Sequence, residues 1–258
     1  MQISLAGRSA IVTGGSKGLG LAIATQFAAS GADVAIVARG RAALEEAVHT
    51  IRAGAHGRVT GVSADVATAD DVERAYDEAM RAFGKVDIVV NNAGTSRNGP
   101  FEALSDEILQ GDLDQKLFAA VRFTRLVWPQ MKERRWGRVI NVLNIGAKAP
   151  RAGSAPTSIT RAAGLALTKV LAGEGGPHNV LVNALLVGLI ASDQHVQTAK
   201  RTGVALEDYV SARAKGIPLG RIGRAEEFAN IACFLASDAG SYITGSAINV
   251  DGGSSPVV

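Results

Sequence analysis

The sequence is short of several things that would narrow its class at once. Cys233 is the single cysteine among 258 residues, so an intramolecular disulfide is excluded, and no Cys/His cluster stands at zinc spacing. Cys233 falls in an apolar helical pattern with Phe228, Ile231, Phe234 and Leu235, where a small buried side chain is expected. Aromatic residues are scarce at 5%, and the tyrosines are Tyr76, Tyr209 and Tyr242, which leaves the middle of the chain without a phenol. No Pro-rich, repetitive or low-complexity stretch divides the sequence, so residues 1–258 read as one domain. The longest apolar stretch, Ala184–Ala191, is too short to span a bilayer and contains Gly188. Met1–Arg8 lacks a signal-peptide core, and the expected location is the cytoplasm. Net charge is only +3 and spread along the chain, which suits anionic small ligands and argues against a nucleic-acid or membrane partner. The densest basic run, Lys132–Arg138, sits where a helix ends and a strand begins and reads as a solvated helix terminus.

What the chain does have is alternation. Strand-like runs at 8–13, 33–38, 58–63, 86–91, 137–143, 178–185 and 246–250 are interleaved with helical patterns at 18–30, 41–53, 68–83, 103–131, 154–174, 192–214 and 224–237. Near-continuous apolar strands such as Asp33–Val37 and Asp87–Val90 fit strands buried on both faces. The expected fold is α/β, a Rossmann-type doubly wound seven-stranded parallel sheet with helices on both faces.

The organising stretch is Thr13-Gly14-Gly15-Ser16-Lys17-Gly18-Leu19-Gly20, between an apolar strand and an apolar helix. Glycines let a main chain approach phosphate oxygens closely, and the helix start then offers free amides and a positive dipole end. Gly14, Ser16, Lys17, Gly18, Leu19 and Gly20 are therefore candidate pyrophosphate contacts. The second strand ends in Ala38-Arg39-Gly40, where NAD sites place an acid for the ribose 2′-OH. Here Arg39, with Lys17 in the first loop, supplies positive charge for a 2′-phosphate, favouring NADP(H) over NAD(H). Asp65-Val66 follows the third strand and Asn91-Asn92-Ala93-Gly94 the fourth, on the same edge of the sheet. Asp65 can accept from an adenine amino group, and Asn92 can steady backbone near the ribose.

These pieces, with Gly137–Val142, Asn179–Ala184, Gly188-Leu189-Ile190 and the tail Ala247–Gly253, resemble the short-chain dehydrogenase/reductase family nearly end to end. The resemblance implies a nicotinamide cofactor touched by the first loop, Arg39, Asp65, Val66, Asn92, Ala93, Gly94 and Arg161. It places Ile190 and Ser192 near the nicotinamide amide and makes 190–215 a mobile substrate lid. It also implies a homodimer or homotetramer through the helices at 103–131 and 154–174. The family works with Asn, Ser, Tyr and Lys, the Tyr phenol handling the proton. In this register the four positions hold Lys116, Asn144, Thr157 and Arg161, and Val187 stands where Pro usually precedes Gly188. An aliphatic hydroxyl can donate a hydrogen bond but does not ionise near neutral pH. Three readings follow. The protein is an oxidoreductase acting on a small carbonyl or alcohol, with the proton handled by Lys116, Lys148, His195, Tyr209 or solvent. Alternatively it binds nucleotide without turnover, as a sensor or a hetero-oligomer subunit. In the third, Arg161, Lys116 and Asn144 grip an anionic substrate for a non-redox reaction. For His195 exposed surface is the simpler reading, and Tyr209 with Arg213 reads as a surface stacking pair.

Overall fold

The computed structural model describes residues 3–191 and 199–258. Ser9–Thr13 (β1), Gly18–Ala29 (α1), Asp33–Ala38 (β2), Arg41–Arg52 (α2), Val59–Ser63 (β3), Ala69–Phe83 (α3) and Ile88–Asn91 (β4) form the first half. Asn98–Gly99 (β5), Asp106–Leu113 (α4), Ala119–Glu133 (α5), Gly137–Asn144 (β6), Ala155–Pro156 (β7), Thr157–Gly175 (α6) and Val180–Val187 (β8) follow. Leu206–Ala214 (α7), Ala225–Ala236 (α8) and Ala247–Val250 (β9) complete the chain. The main sheet has seven strands in the order β3-β2-β1-β4-β6-β8-β9, every pair parallel. This is the doubly wound arrangement the alternation predicts.

Period-two strand geometry explains why both faces are apolar. Ala10, Val12, Val34 and Ile36 meet Ile23, Phe27 and Phe228 on one face, while Ile11, Ala35 and Val37 meet Ala75, Phe123 and Met131 on the other. Each fully buried Val, Ile, Phe or Met among them contributes about 1.5–3 kcal/mol before its ordering cost. Local signals set the helix ends. Asp70 and Asp71 sit in the first turn of α3, where the dipole favours them, and Gly84 closes it at φ +79°. Cys233 is buried, as its pattern predicts, with its sulfur 3.3 Å from Ser30 Oγ. Among the described residues no helix is long and apolar enough to cross a membrane.

Four readings need correction, the first being the helix expected over 192–214, which among the described residues is interrupted at 203–205 before α7. The helix expected over 103–131 is broken: α4 passes through a π-helical turn, Asp114–Phe118, into α5. Hydrophobic period cannot register this turn, because the inward-facing residues there, Asp112 and Lys116, are polar. The helix expected from 154 begins at Thr157, because Ala155–Pro156 pairs antiparallel with Asn98–Gly99. In the basic run, Arg134 and Arg135 are exposed, but Arg138 is only 1% exposed. Its Nη1 donates to the carbonyls of Gly137 (2.9 Å) and Asn179 (3.2 Å), and its guanidinium lies 4.2 Å from the Trp136 ring centre. Burial pulls its pKa down to about 10, against the opposing pull of Asp238.

Candidate functional site

The site is built at the carboxyl ends of β1, β4 and β6, the edge where open parallel sheets take ligands. Gly14 leaves β1 at φ +66° and Gly18 opens α1 at φ +53°. A Cβ on Gly20 would run into the Gly14 carbonyl, so the turn closes only around glycine. Gly14 N donates to Val37 O at 2.8 Å, which ties the turn to β2. Lys17 caps α1 without a side-chain bond, and among the described residues the amides of Gly18, Leu19 and Gly20 find no acceptor. Unclaimed amides at the positive end of a helix are what a diphosphate requires.

Thr13 and Asn92 hold this loop in place. Thr13 Oγ1 donates to Val90 O (3.2 Å) and accepts from the amides of Asn92 (2.9 Å) and Ala93 (3.0 Å). Asn92 Nδ2 donates to the carbonyls of Thr13 (2.9 Å) and Gly14 (3.3 Å). The Asn92 amide is thus taken up by the loop, a buttress rather than an open donor. Arg39 and Lys17 are both exposed, and the Arg39 carbonyl accepts from Ser63 Oγ at 3.1 Å. Asp65 Oδ1 accepts from Ala67 N at 3.1 Å in an Asx turn, and its own amide donates to Asp71 Oδ2 at 2.7 Å. Val66 is buried beneath it. Ile190 is buried and bridges to Gly223. Ser192 and His195 lie outside the described residues.

Two of the four substituted positions, Lys116 and Arg161, stand behind Gly94, whose φ is +144°, and Thr157 joins them through Lys116. A Cβ on Gly94 would stand 3.0 Å from Lys116 Cγ and 3.2 Å from Arg161 Nη2. Lys116 Nζ donates to Asp112 Oδ1 at 2.5 Å and to Thr157 Oγ1 at 3.0 Å, with both charged side chains about 1% exposed. Thr160 Oγ1 donates to Asp112 Oδ2 at 2.7 Å. Thr157 does not face open space: its hydroxyl donates to Arg97 O at 2.7 Å and accepts from Arg97 N at 2.8 Å. Arg161 Nη1 donates to Val142 O at 2.7 Å, leaving Nε without a partner among the described residues, as is Asn144 Oδ1 at the end of β6. Burial pulls Lys116 down to about 8, with Asp112 opposing and the Arg161 charge adding to it. Burial likewise lowers Arg161 to about 10.

Lys148 is spent elsewhere, donating to Ala247 O at 2.8 Å. Arg213 lies 5.0 Å from the Tyr209 ring centre, the stacking pair that their spacing suggests. Sequence reasoning misses Thr13, Arg97, Asp112 and Thr160. The Asp112–Lys116 spacing of four on one helix was a readable signal. Arg97 left none, since it meets Thr157 across 60 residues of chain.

A family model described as enoyl-(acyl carrier protein) reductase matches residues 14–255. The 3-oxoacyl-(acyl carrier protein) reductase FabG of Aquifex aeolicus is 34% identical over 261 residues, covering 98% of this chain and 99% of that protein. The short-chain reductase protein NovJ of Streptomyces niveus is 35% identical over 244 residues, covering 95% and 92%. L-sorbose reductase from Gluconobacter frateurii, solved in complex with NADPH and L-sorbose, superposes with a TM-score of 0.96 at 35% identity and covers both chains fully. The chain belongs to the short-chain dehydrogenase/reductase family of oxidoreductases.

Proposed function

We propose that this protein is an NADP(H)-dependent oxidoreductase that interconverts a small carbonyl compound and its alcohol, using a proton source other than a tyrosine. The observation that carries the reading is the set of amides at Gly18, Leu19 and Gly20 that find no acceptor among the described residues, at a helix start that follows exposed Lys17, with exposed Arg39 just after β2. L-sorbose reductase, similar over its full length, was solved with NADPH. The residues present fit such a coenzyme: the glycine turn and Ser16 hold the diphosphate, and Arg39 with Lys17 holds the 2′-phosphate. Asp65 and Val66 border the adenine. Ala93, Gly94 and Arg161 border the nicotinamide-side ribose, and Ile190 borders the carboxamide. When bound, the nicotinamide supplies or accepts the hydride. The chain's own task is to exclude water, orient the carbonyl and settle the proton, and Lys116, Asn144, Thr157 and Arg161 are the groups at hand.

In this reading the chain is one domain, and the protein works in the cytoplasm as a homodimer or homotetramer. Ile108 and Phe118 on the α4–α5 unit and Ile159 and Val170 on α6 are exposed apolar side chains suited to such contacts. The test is a titration of the purified protein with NADPH and NADH. NADPH binds more tightly, and Arg39→Ala weakens NADPH about 10- to 100-fold while NADH is unmoved, the size of a lost charge-assisted phosphate bond. Submillimolar affinity for neither nucleotide overturns the reading.

A further inference from the structure

Resting on that reading, we propose that Thr157 and Lys116 together replace the missing phenol: the Thr157 hydroxyl hands its proton to the substrate oxygen and is reprotonated by the Lys116 ammonium, held in place by Asp112. The geometry is a donor chain already assembled. Lys116 Nζ stands 3.0 Å from Thr157 Oγ1 and donates to it, and Thr157 in turn donates to a carbonyl oxygen at 2.7 Å. That carbonyl belongs to Arg97, in the exposed segment just before β5. A ketone oxygen that displaces it would inherit the same hydrogen bond, so the Arg97 carbonyl marks the place of the substrate's own oxygen. The hydroxyl has one proton to donate and two lone pairs, which here receive Lys116 and Arg97 N. It can therefore donate forward while accepting from behind, which is what a relay requires and what a lone aliphatic alcohol cannot sustain.

The step balances. As the carbonyl carbon gains a hydride, its oxygen gains an electron pair and takes the Thr157 proton. The Thr157 oxygen takes a proton from Lys116, the N–H bond breaks, and a neutral amine remains. Solvent restores the ammonium after product leaves, and alcohol oxidation runs the same transfers in reverse. The groups acting on Lys116 are Asp112 from α4, Arg161 and Thr157 from α6, and Arg97 from the loop before β5, while Thr160 from α6 bonds Asp112. Burial and the two arginine charges favour release of the proton, and Asp112 restrains it. Asp112 is a positioning residue: Thr160 fixes its second oxygen, so its first points at the amine.

The test follows NADPH oxidation against pH with ethyl acetoacetate, diacetyl and fructose, alongside NADPH binding and an NMR titration of the lysine side-chain amines in the coenzyme-free protein. Ketone reduction needs the ammonium, so kcat/KM falls as pH rises through the Lys116 midpoint, and the NMR midpoint of Lys116 coincides with it. Thr157→Val lowers reduction at least 100-fold with NADPH affinity kept, and Thr157→Ser recovers at least a tenth of the rate. Asp112→Asn moves the midpoint to lower pH, a change that mere loss of packing does not make. The neutral pair Asp112→Asn/Lys116→Gln keeps the polar volume and loses the pH limb altogether. The relay is overturned if Thr157→Val reduces ketones at the parent rate, or if the limb persists without Lys116. It is also overturned if the protein binds NADPH and reduces none of the three probes, an outcome that leaves the coenzyme reading intact. Failure to bind NADPH sinks that reading first.

Discussion

The Asp112–Lys116 pair is the place where removing one atom group should tell most. Both side chains are about 1% exposed, and among the described residues their hydrogen-bond partners are each other, Thr157 and Thr160, with the Arg161 charge close to Asp112. Breaking a buried pair by deleting one partner costs about 3–5 kcal/mol, whereas replacing both by apolar groups of like size is about neutral or stabilising. Lys116→Met should therefore cost about 3–5 kcal/mol at pH 7, because it takes from the Asp112 carboxylate its hydrogen-bonded ion partner and leaves it Thr160 and the Arg161 charge. Asp112→Leu should cost less, since the stranded amine escapes by losing its proton. Asp112→Leu/Lys116→Met should recover most of the loss. A second, pH-dependent signature comes from the lysine. Its folded value, about 8, lies below the ordinary 10.5, so the unfolded chain holds more protons between these limits and native stability rises with pH across them. At about 1.4 kcal/mol for each tenfold in proton affinity, the full rise is about 3 kcal/mol. Urea melts of the parent and the double variant from pH 7 to pH 10.5 measure both effects. A Lys116→Met loss below about 1 kcal/mol, or a parent-minus-double difference that stays flat with pH, refutes the burial argument.

Two further outcomes bear on the coenzyme loop. Gly20→Ala drives a methyl into the Gly14 carbonyl and crowds Asn92 Nδ2, so NADPH affinity should fall at least 100-fold, read by fluorescence titration of variant against parent. Thr13→Val removes the acceptor shared by the Asn92 and Ala93 amides and should cost about 1–3 kcal/mol in urea melts, with weaker coenzyme binding from the slackened turn.

Whatever depends on near neighbours along the chain can be read from the amino-acid order alone. Ala10–Val12 and Val34–Val37 are strands because apolar residues in unbroken runs need cover on both faces, and the alternation of such runs with helices leaves a parallel sheet as the economical arrangement. The glycine turn was legible for the same reason: its φ values and close approaches are properties of Gly14, Gly18 and Gly20 themselves. The make-up of the substituted site emerges only when distant segments fold together. The π turn that aims Lys116 inward, the Thr160–Asp112–Lys116–Thr157 chain and the Arg97 clasp join residues up to 60 apart. Burial of Arg138 likewise depends on Asn179 and Trp136 closing around it, so a basic run that looks solvated holds one arginine in the interior. Hydrogen bonds between distant segments leave no periodicity behind them, because each partner is chosen by where the sheet brings it and not by what precedes it in the chain.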